Sequence, residues 1–303
     1  MRPDSEFRSW ITADGSSGFK AESGRYHLYV SHACPWAHRT MILRSLKGLE
    51  KVISVTVVEY FLPADGWTFA EEPHEDGRGP DPVLGAKNMR EVYLRSNGGY
   101  QGRITVPVLF DKVTKTIVNN ESPEIIRMLN SEFNEFGETE AQRSLDLYPA
   151  ELRDQVEDVN SWVYPNINNG VYRCGFATTQ EAYDEAFDGL FAHLEKAEAI
   201  LSTSRYLTGS RLTLADIRLF TTLLRFDAVY YVHFKTNLKR IADYPNLQNF
   251  AKEIYQLPGV EKTVNFFHIK QHYYGSHKKI NAYGIVPKGP ILDFSSPHDR
   301  SRL

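Results

Sequence analysis

The stretch SHACPWAHRT, residues 31–40, places Cys34, one of two cysteines in the chain, directly before a proline and a tryptophan. Upstream, HLYV (27–30) is an apolar run of strand length, and downstream VISVTVV (52–58) is another. Between them Trp36, Ile42, Leu43, Leu46 and Leu49 recur at roughly helical spacing. The pattern predicts a β-α-β unit with Cys34 where the helix begins. Proline suits the first helical position, because the N–H it lacks would have no partner there. A helix start has chemical meaning as well. Its unpaired N–H groups and positive dipole end favour the thiolate, which is the nucleophilic form of cysteine. Three residues on, where a dithiol oxidoreductase carries its second cysteine, stands Ala37. No disulfide can close within the motif, so an oxidised intermediate needs an external thiol to resolve it.

Other readings of the stretch are weaker. A buried cysteine capping a helix is the plain structural alternative. His32, Cys34 and His38 match no common zinc spacing and lack a second cysteine cluster, so no metal site is expected. A Cys-His hydrolase is conceivable among ten histidines, but neighbours in sequence are no evidence of a spatial dyad.

Outward from the β-α-β unit, residues 60–102 form a long polar stretch with Gly and Pro, longer than an ordinary crossover and therefore suspected of function. ITVPVLFD, interrupted by Pro107, and KTIVNN read as a hairpin through DKVTK, and ESPEIIRMLN opens a helix. The order is that of an α/β thioredoxin-like domain, expected over 24–135 after an N-terminal arm at 1–23. A polar link near 134–143 leads to amphipathic segments without clear strands, expected as an all-helical domain over 136–270. Leu190, Phe191, Leu194, Ala197, Ile200 and Leu201 form one helical stripe. Thr213 with Asp216 three residues later is a capping-box pattern ahead of another helix. The tail, 271–303, rich in Gly, Pro, Tyr and His, reads as an ordered extension lying over something.

With 303 residues, 42% hydrophobic and 24% charged, and a formal net charge of -3, the chain has ordinary globular composition and no basic field for nucleic acid. Its longest apolar runs are strand-sized, and the charged start MRPDSEFRSW lacks the apolar core of a signal peptide. Two cysteines make no disulfide framework and suit a reducing, cytoplasmic compartment.

Two further motifs describe a ligand. In a thioredoxin-like sheet an X-Pro bond beside the thiol is commonly cis, leaving the preceding backbone to pair with an extended ligand, so Val106–Pro107 is expected cis; a trans edge-strand proline is the alternative. In NNES, Glu121 and Ser122 stand at a helix start, where N–H groups and a hydroxyl can hold a carboxylate and the glutamate an ammonium. Ser122 or Asn120 could equally serve only as the helix cap. A reactive sulfur, a backbone rail and a pocket for an α-amino-acid end together fit glutathione, with no metal or nucleotide required.

The order of SHACPWAHR, GWTF, GRITVPVLFD, NNESPEIIRM, NNGVYRCGFATTQEAYDEA, RYLTG, LTLADIRLFTTLLRFD and HYYGSHKKIN resembles the glutathionyl-hydroquinone reductases, the Xi class of glutathione transferases, over nearly the whole chain. CPWAHR alone would be weaker, since omega-like transferases share something similar. The resemblance implies a homodimeric enzyme that reduces S-glutathionyl-hydroquinones with glutathione and releases glutathione disulfide. Carried over by motif, Cys34 is the nucleophile and Tyr172 of NNGVYR the proton donor. Tyr230 of RFDAVYY and Tyr273 of HYYGSH lie near the cysteine and the aromatic substrate. Trp67, Arg103, Ile104, Thr105, Val106, Glu121 and Ser122 are glutathione-binding positions. Without the motifs, Trp67 would default to a loop anchor and each tyrosine to packing. The sequence departs from the family at Cys174, where a small residue is expected, and in an arm shorter than usual. Two rivals remain: a general omega-like thioltransferase or dehydroascorbate reductase, and a non-catalytic binding module, which would not require this set of residues.

Overall fold

The computed structural model describes residues 5–303, which divide into two units. The first runs to Leu145 and includes Thr263–His268; the second comprises Asp146–Lys262 and Ile269–Leu303. The chain therefore passes between units at 145/146 rather than near 135. Lys47 accounts for the shift: its buried ammonium donates to Asn134 Oδ1 (2.7 Å) and to the Leu145 carbonyl (2.5 Å), holding the polar link on the first unit.

In the first unit β1 (Ile11–Thr12) and β2 (Phe19–Lys20) make a small parallel pair. β3 (Tyr26–Val30) is buried at every residue, as a strand covered on both faces must be. After α1 (Pro35–Leu46) comes β4 (Ser54–Val57), parallel to β3. Then follow α2 (Met89–Ser96), the antiparallel hairpin of β5 (Val108–Asp111) and β6 (Thr116–Asn119), α3 (Ser122–Ser131) and the short α4 (Glu140–Ser144). The sheet order is β4-β3-β5-β6, with β5 antiparallel to β3. This is the thioredoxin-like order expected from sequence. α1 ends in a Schellman motif: the N–H of Gly48 (φ 64°) bonds to Ser45 and that of Leu49 to Arg44, 2.9 Å each.

The long stretch 60–102 is folded rather than loose, and it contains α2, which its polar sequence hides. Buried Asp81 organises it, accepting the N–H groups of Val83, Leu84 and Ala86 and the hydroxyl of Tyr29. Asn88 then caps α2 by accepting Glu91 N–H at 3.0 Å. Of the N-terminal arm, residues 1–4 lie outside the described residues. Residues 7–9 lie along β6, with Ser9 N–H donating to Val118 and Asn120 N–H to Phe7, and Ile11 and Ala13 then bond to Met128 and Glu132.

The second unit is helical: α5 (Arg153–Val163), α6 (Gly170–Gly175), α7 (Gln180–Thr203), α8 (Leu214–Arg225), α9 (Tyr231–His233), α10 (Pro245–Tyr255) and α11 (Phe266–Ser276, from Ile269 onward in this unit). A π turn, Tyr164–Asn168, precedes α6, and another, Phe226–Tyr230, follows α8. At the start of α8 the Asp216 carboxylate accepts the N–H groups of Leu207 and Thr213 and the Thr213 hydroxyl, so the capping residue also fixes the preceding turn. No helix among the described residues is long and apolar enough to cross a membrane.

The tail lies over α10 and the end of α7. Gln256 donates to the carbonyls of Phe294 and Ser296, and fully buried Arg300 donates to those of Leu201, Ser204 and Arg205, each at 2.6 Å. These carbonyls belong to the helix end and the residues after it, which otherwise lack partners. Arg300→Ala is expected to lower unfolding free energy by about 2–3 kcal/mol in urea denaturation, and Arg300→Lys to recover under half of it, since one ammonium cannot reach three carbonyls.

His233 and His277 share a ring hydrogen bond of 3.2 Å, and burial lowers both to pKa about 4 from the ordinary 6.5. Because the folded values lie below the unfolded ones, their contribution is present above pH 6.5 and is lost as pH falls toward 4. The urea midpoint should drop through that interval, and His277→Gln should flatten the drop; an unchanged slope would contradict this role.

Candidate functional site

Two clusters of side chains emerge, one in each unit. In the first, β3 delivers the chain through Ser31, His32 and Ala33 to Cys34, whose N–H bonds to the Ser31 carbonyl at 3.1 Å. Cys34 is the N-cap of α1 in extended conformation (φ -75°, ψ 119°), with Pro35 first in the helix. The half-exposed sulfur donates to the Val106 carbonyl at 3.5 Å. The Val106–Pro107 bond is cis, as expected. A sulfur at the N-terminal end of a twelve-residue helix, beside the loop that carries exposed Arg103, suits nucleophilic chemistry on an extended ligand.

The other expected contacts fall on the same unit. Trp67 is buried, and its carbonyl accepts Met89 N–H at 2.9 Å, which fastens the loop to the start of α2. Arg103 is exposed, while Ile104 and Thr105 are half-buried and Val106 buried. Glu121 is the N-cap of α3 without a side-chain cap bond, so neither Ser122 nor Asn120 plays that part. The Glu121 carboxylate accepts the Ser5 hydroxyl, and buried Ser122 accepts Arg39 Nη1 at 3.4 Å. Arg39 itself is fully buried with its guanidinium 4.5 Å from the Trp36 ring centre. His32 and His38 have protein partners, Nε2 of each lying at 3.0 Å from the Asp76 carbonyl and 2.8 Å from Thr263 Oγ1. Among the described residues no group of three or more His, Cys, Asp or Glu side chains is arranged to hold a metal.

In the second unit the structure brings the three tyrosines together. Tyr172 comes from α6, Tyr230 from the π turn after α8, and Tyr273 from α11. The Tyr273 hydroxyl lies 2.5 Å from that of Tyr172 and 3.0 Å from that of Tyr230. Tyr273 is buried, and burial, with its phenolic neighbours, raises its pKa well above the ordinary value, so it stays a neutral hydrogen-bonding group. Tyr172 remains partly exposed, which suits a proton donor to a ligand. Phe234 stacks on Tyr230 at 5.4 Å and 10° and backs the cluster, and Gly175 permits this, because a β-carbon there would overlap the Phe234 ring. Cys174 is buried, and burial pushes its thiol up to about 11, leaving a packed, protonated cysteine.

Sequence reasoning missed Tyr93 and Tyr100, whose hydroxyls bond to the backbone of Thr105 and Arg103. It missed Arg39 too, although that residue stands inside the CPWAHR motif. Nothing local to the tyrosines signals their part, since both lie in the stretch read as polar insertion.

Comparison with known proteins identifies the domains and the family. Residues 33–132 match the glutathione S-transferase N-terminal domain family and residues 180–253 the C-terminal domain family. The chain is 51% identical to glutathionyl-hydroquinone reductase YqjG of Escherichia coli K12 over 99% of its own length and 92% of that protein. It is 51% identical to glutathionyl-hydroquinone reductase PcpF of Sphingobium chlorophenolicum, covering 96% of this chain and 89% of the other. Among solved structures, glutathione-bound YqjG superposes with a TM-score of 0.93 at 51% identity, covering 97% of this chain and 96% of that one. With relatives this similar over their full length, the chain belongs to the glutathionyl-hydroquinone reductases, the Xi class of the glutathione transferases.

Proposed function

We propose that this chain reduces S-glutathionyl-hydroquinones to hydroquinones at the expense of glutathione, with Cys34 as nucleophile. The observation that carries the reading is Cys34 at the N-cap of α1 beside the Val106 carbonyl, in a chain 51% identical to two glutathionyl-hydroquinone reductases. Glutathione is the co-substrate: Trp67, Arg103, Ile104, Thr105 and Val106 line its extended backbone, and Glu121 with Ser122 takes its α-amino-acid end. Exposed Arg103 in the loop and an N-cap of α3 that makes no side-chain cap bond support that assignment.

The Cys34 thiolate attacks the sulfur of the conjugate. A Cys34–glutathione disulfide forms, the bond between sulfur and aromatic carbon breaks, and its electron pair goes to the carbon. Carbon is a poor leaving group, so a general acid delivers a proton there. Tyr172 is that acid, and Tyr273 stabilises the phenolate it leaves by donating a hydrogen bond. Tyr230 orients the cluster. A second glutathione thiolate then attacks the mixed disulfide, releasing glutathione disulfide and restoring Cys34, while its proton replaces the one Tyr172 gave up. The same reading assigns a homodimer and a reducing, cytoplasmic setting, the latter supported by two cysteines held as thiols rather than as a disulfide.

A general thioltransferase would use Cys34 in the same way, but its sulfur leaving group has no need of Tyr172. With glutathionyl-hydroquinone and excess glutathione, hydroquinone and glutathione disulfide should appear in equal amounts by chromatography. Cys34→Ser should abolish release, and Tyr172→Phe should slow it by about 100-fold or more while sparing turnover of a small glutathione mixed disulfide. Near-normal release by Cys34→Ser would end the scheme. Iodoacetamide at neutral pH is expected to label Cys34 alone by peptide mass mapping, with Cys174 reacting only after unfolding; early labelling of Cys174 would contradict its burial.

A further inference from the structure

Phe7, Tyr93 and Tyr100 form an aromatic cluster to which the reaction scheme gives no part. Ring centres lie 5.7 Å apart for Phe7 and Tyr93, 5.5 Å for Phe7 and Tyr100, and 4.9 Å for Tyr93 and Tyr100. Both tyrosine rings are buried, yet each hydroxyl reaches the loop between α2 and β5. The Tyr93 hydroxyl donates to the Thr105 carbonyl at 3.0 Å and accepts from Asn120 Nδ2 at 3.0 Å and from Thr105 N–H at 3.4 Å. It also lies 3.2 Å from Thr105 Oγ1, so one hydroxyl ties the loop at Thr105 to Asn120. The Tyr100 hydroxyl donates to the Arg103 carbonyl at 2.9 Å, and burial pushes its pKa up to about 12, keeping it a neutral donor.

The bonded groups are not random parts of the loop. Arg103 and Thr105 belong to the segment assigned to glutathione, and Asn120 immediately precedes Glu121. Residue 102 must also be small: a β-carbon on Gly102 would overlap the Tyr100 hydroxyl and lie 2.6 Å from its Cζ. The arm closes the cluster from outside. Besides the Phe7 ring, it supplies the Phe7 carbonyl that accepts Asn120 N–H at 3.2 Å and the Ser5 hydroxyl that bonds to Glu121.

We propose that Tyr93 and Tyr100 are positioning residues for the glutathione-binding loop, and that the N-terminal arm, through Phe7, holds them against it. The proposal rests on the assignment of Arg103, Val106 and Glu121 to glutathione binding. It gives the arm a function: setting affinity for the co-substrate without touching the reacting atoms. A flexible loop must lose conformational freedom on binding, and two fixed hydroxyls remove that cost beforehand.

The test is steady-state kinetics of the full chain with glutathionyl-hydroquinone at saturation and glutathione varied, for Tyr93→Phe, Tyr100→Phe, Phe7→Ala and Gly102→Ala, with Glu121→Gln as reference. Each of the first four is expected to raise KM for glutathione about 5- to 10-fold while kcat stays within about twofold, the signature of weakened binding rather than weakened chemistry. Thermal melting confirms that each variant is folded. Should Tyr93→Phe fail to fold, Tyr100→Phe and Phe7→Leu decide the matter, since they leave the Tyr93 hydroxyl intact. A purely structural role would lower the melting temperature and leave KM unmoved well below it, and that result overturns the proposal. If Glu121→Gln also leaves KM unchanged, the binding assignment beneath it is wrong as well; if Glu121→Gln raises KM and the tyrosine variants do not, only the positioning role fails.

Discussion

A helix whose N-cap is Cys34 leaves its first N–H groups without partners inside the helix, and the positive end this gives α1 is the constraint on which the rest of the structure depends. Pro35 fixes the start, because it fits the first turn and nowhere later. The sulfur then sits where negative charge is stabilised. Everything nearby respects this placement: β3 brings the chain to the helix and β4 takes it on, the Val106–Pro107 loop presents a carbonyl to the sulfur, and α3 begins after Glu121, its N-cap. Two helix starts and one exposed loop make a surface suited to a negatively charged, peptide-like thiol.

The second unit gathers three phenols from three separate segments. In the proposed reaction, breaking a bond between carbon and sulfur asks for a proton, and the proposal assigns its supply to them. Tyr273 is the pivot, because it is buried, neutral and bonded to both others. Both π turns bear on this arrangement. One ends at Tyr230 itself, and the other precedes α6 and is held to α8 by Asn168, whose amide donates to the Arg218 carbonyl and Thr222 Oγ1 at 2.9 Å each. Departures from regular α-helix often mark functional positions.

Much of this was legible in the sequence, and the reasons for success and failure are physical. The β-α-β start, the hairpin and the capping box at Thr213 were readable because strand runs, turn residues and cap residues act locally. Cys34 was readable for the same reason. α2 was not, because its eight residues, MREVYLRS, carry too short and too polar a stripe to stand out. The first half of α7, QEAYDEAFDG, hid for a similar reason and is marked mainly by its Thr179 cap. The joining of Tyr172, Tyr230 and Tyr273, and of Tyr93 with Thr105 and Asn120, depends on contacts across long stretches of chain. Only resemblance flagged the first set, and nothing flagged the second.

The measurement that bears most directly on the central claim is a single-turnover experiment without free glutathione. Enzyme is mixed with one equivalent of glutathionyl-hydroquinone, quenched in acid, and examined by intact and peptide mass spectrometry alongside chromatography of the released aromatic. One glutathionyl group on Cys34, formed in step with one equivalent of free hydroquinone and removed by later addition of glutathione, is the result the account requires. Hydroquinone release with Cys34 unmodified, or a glutathionyl group carried on Cys174 instead, would contradict it.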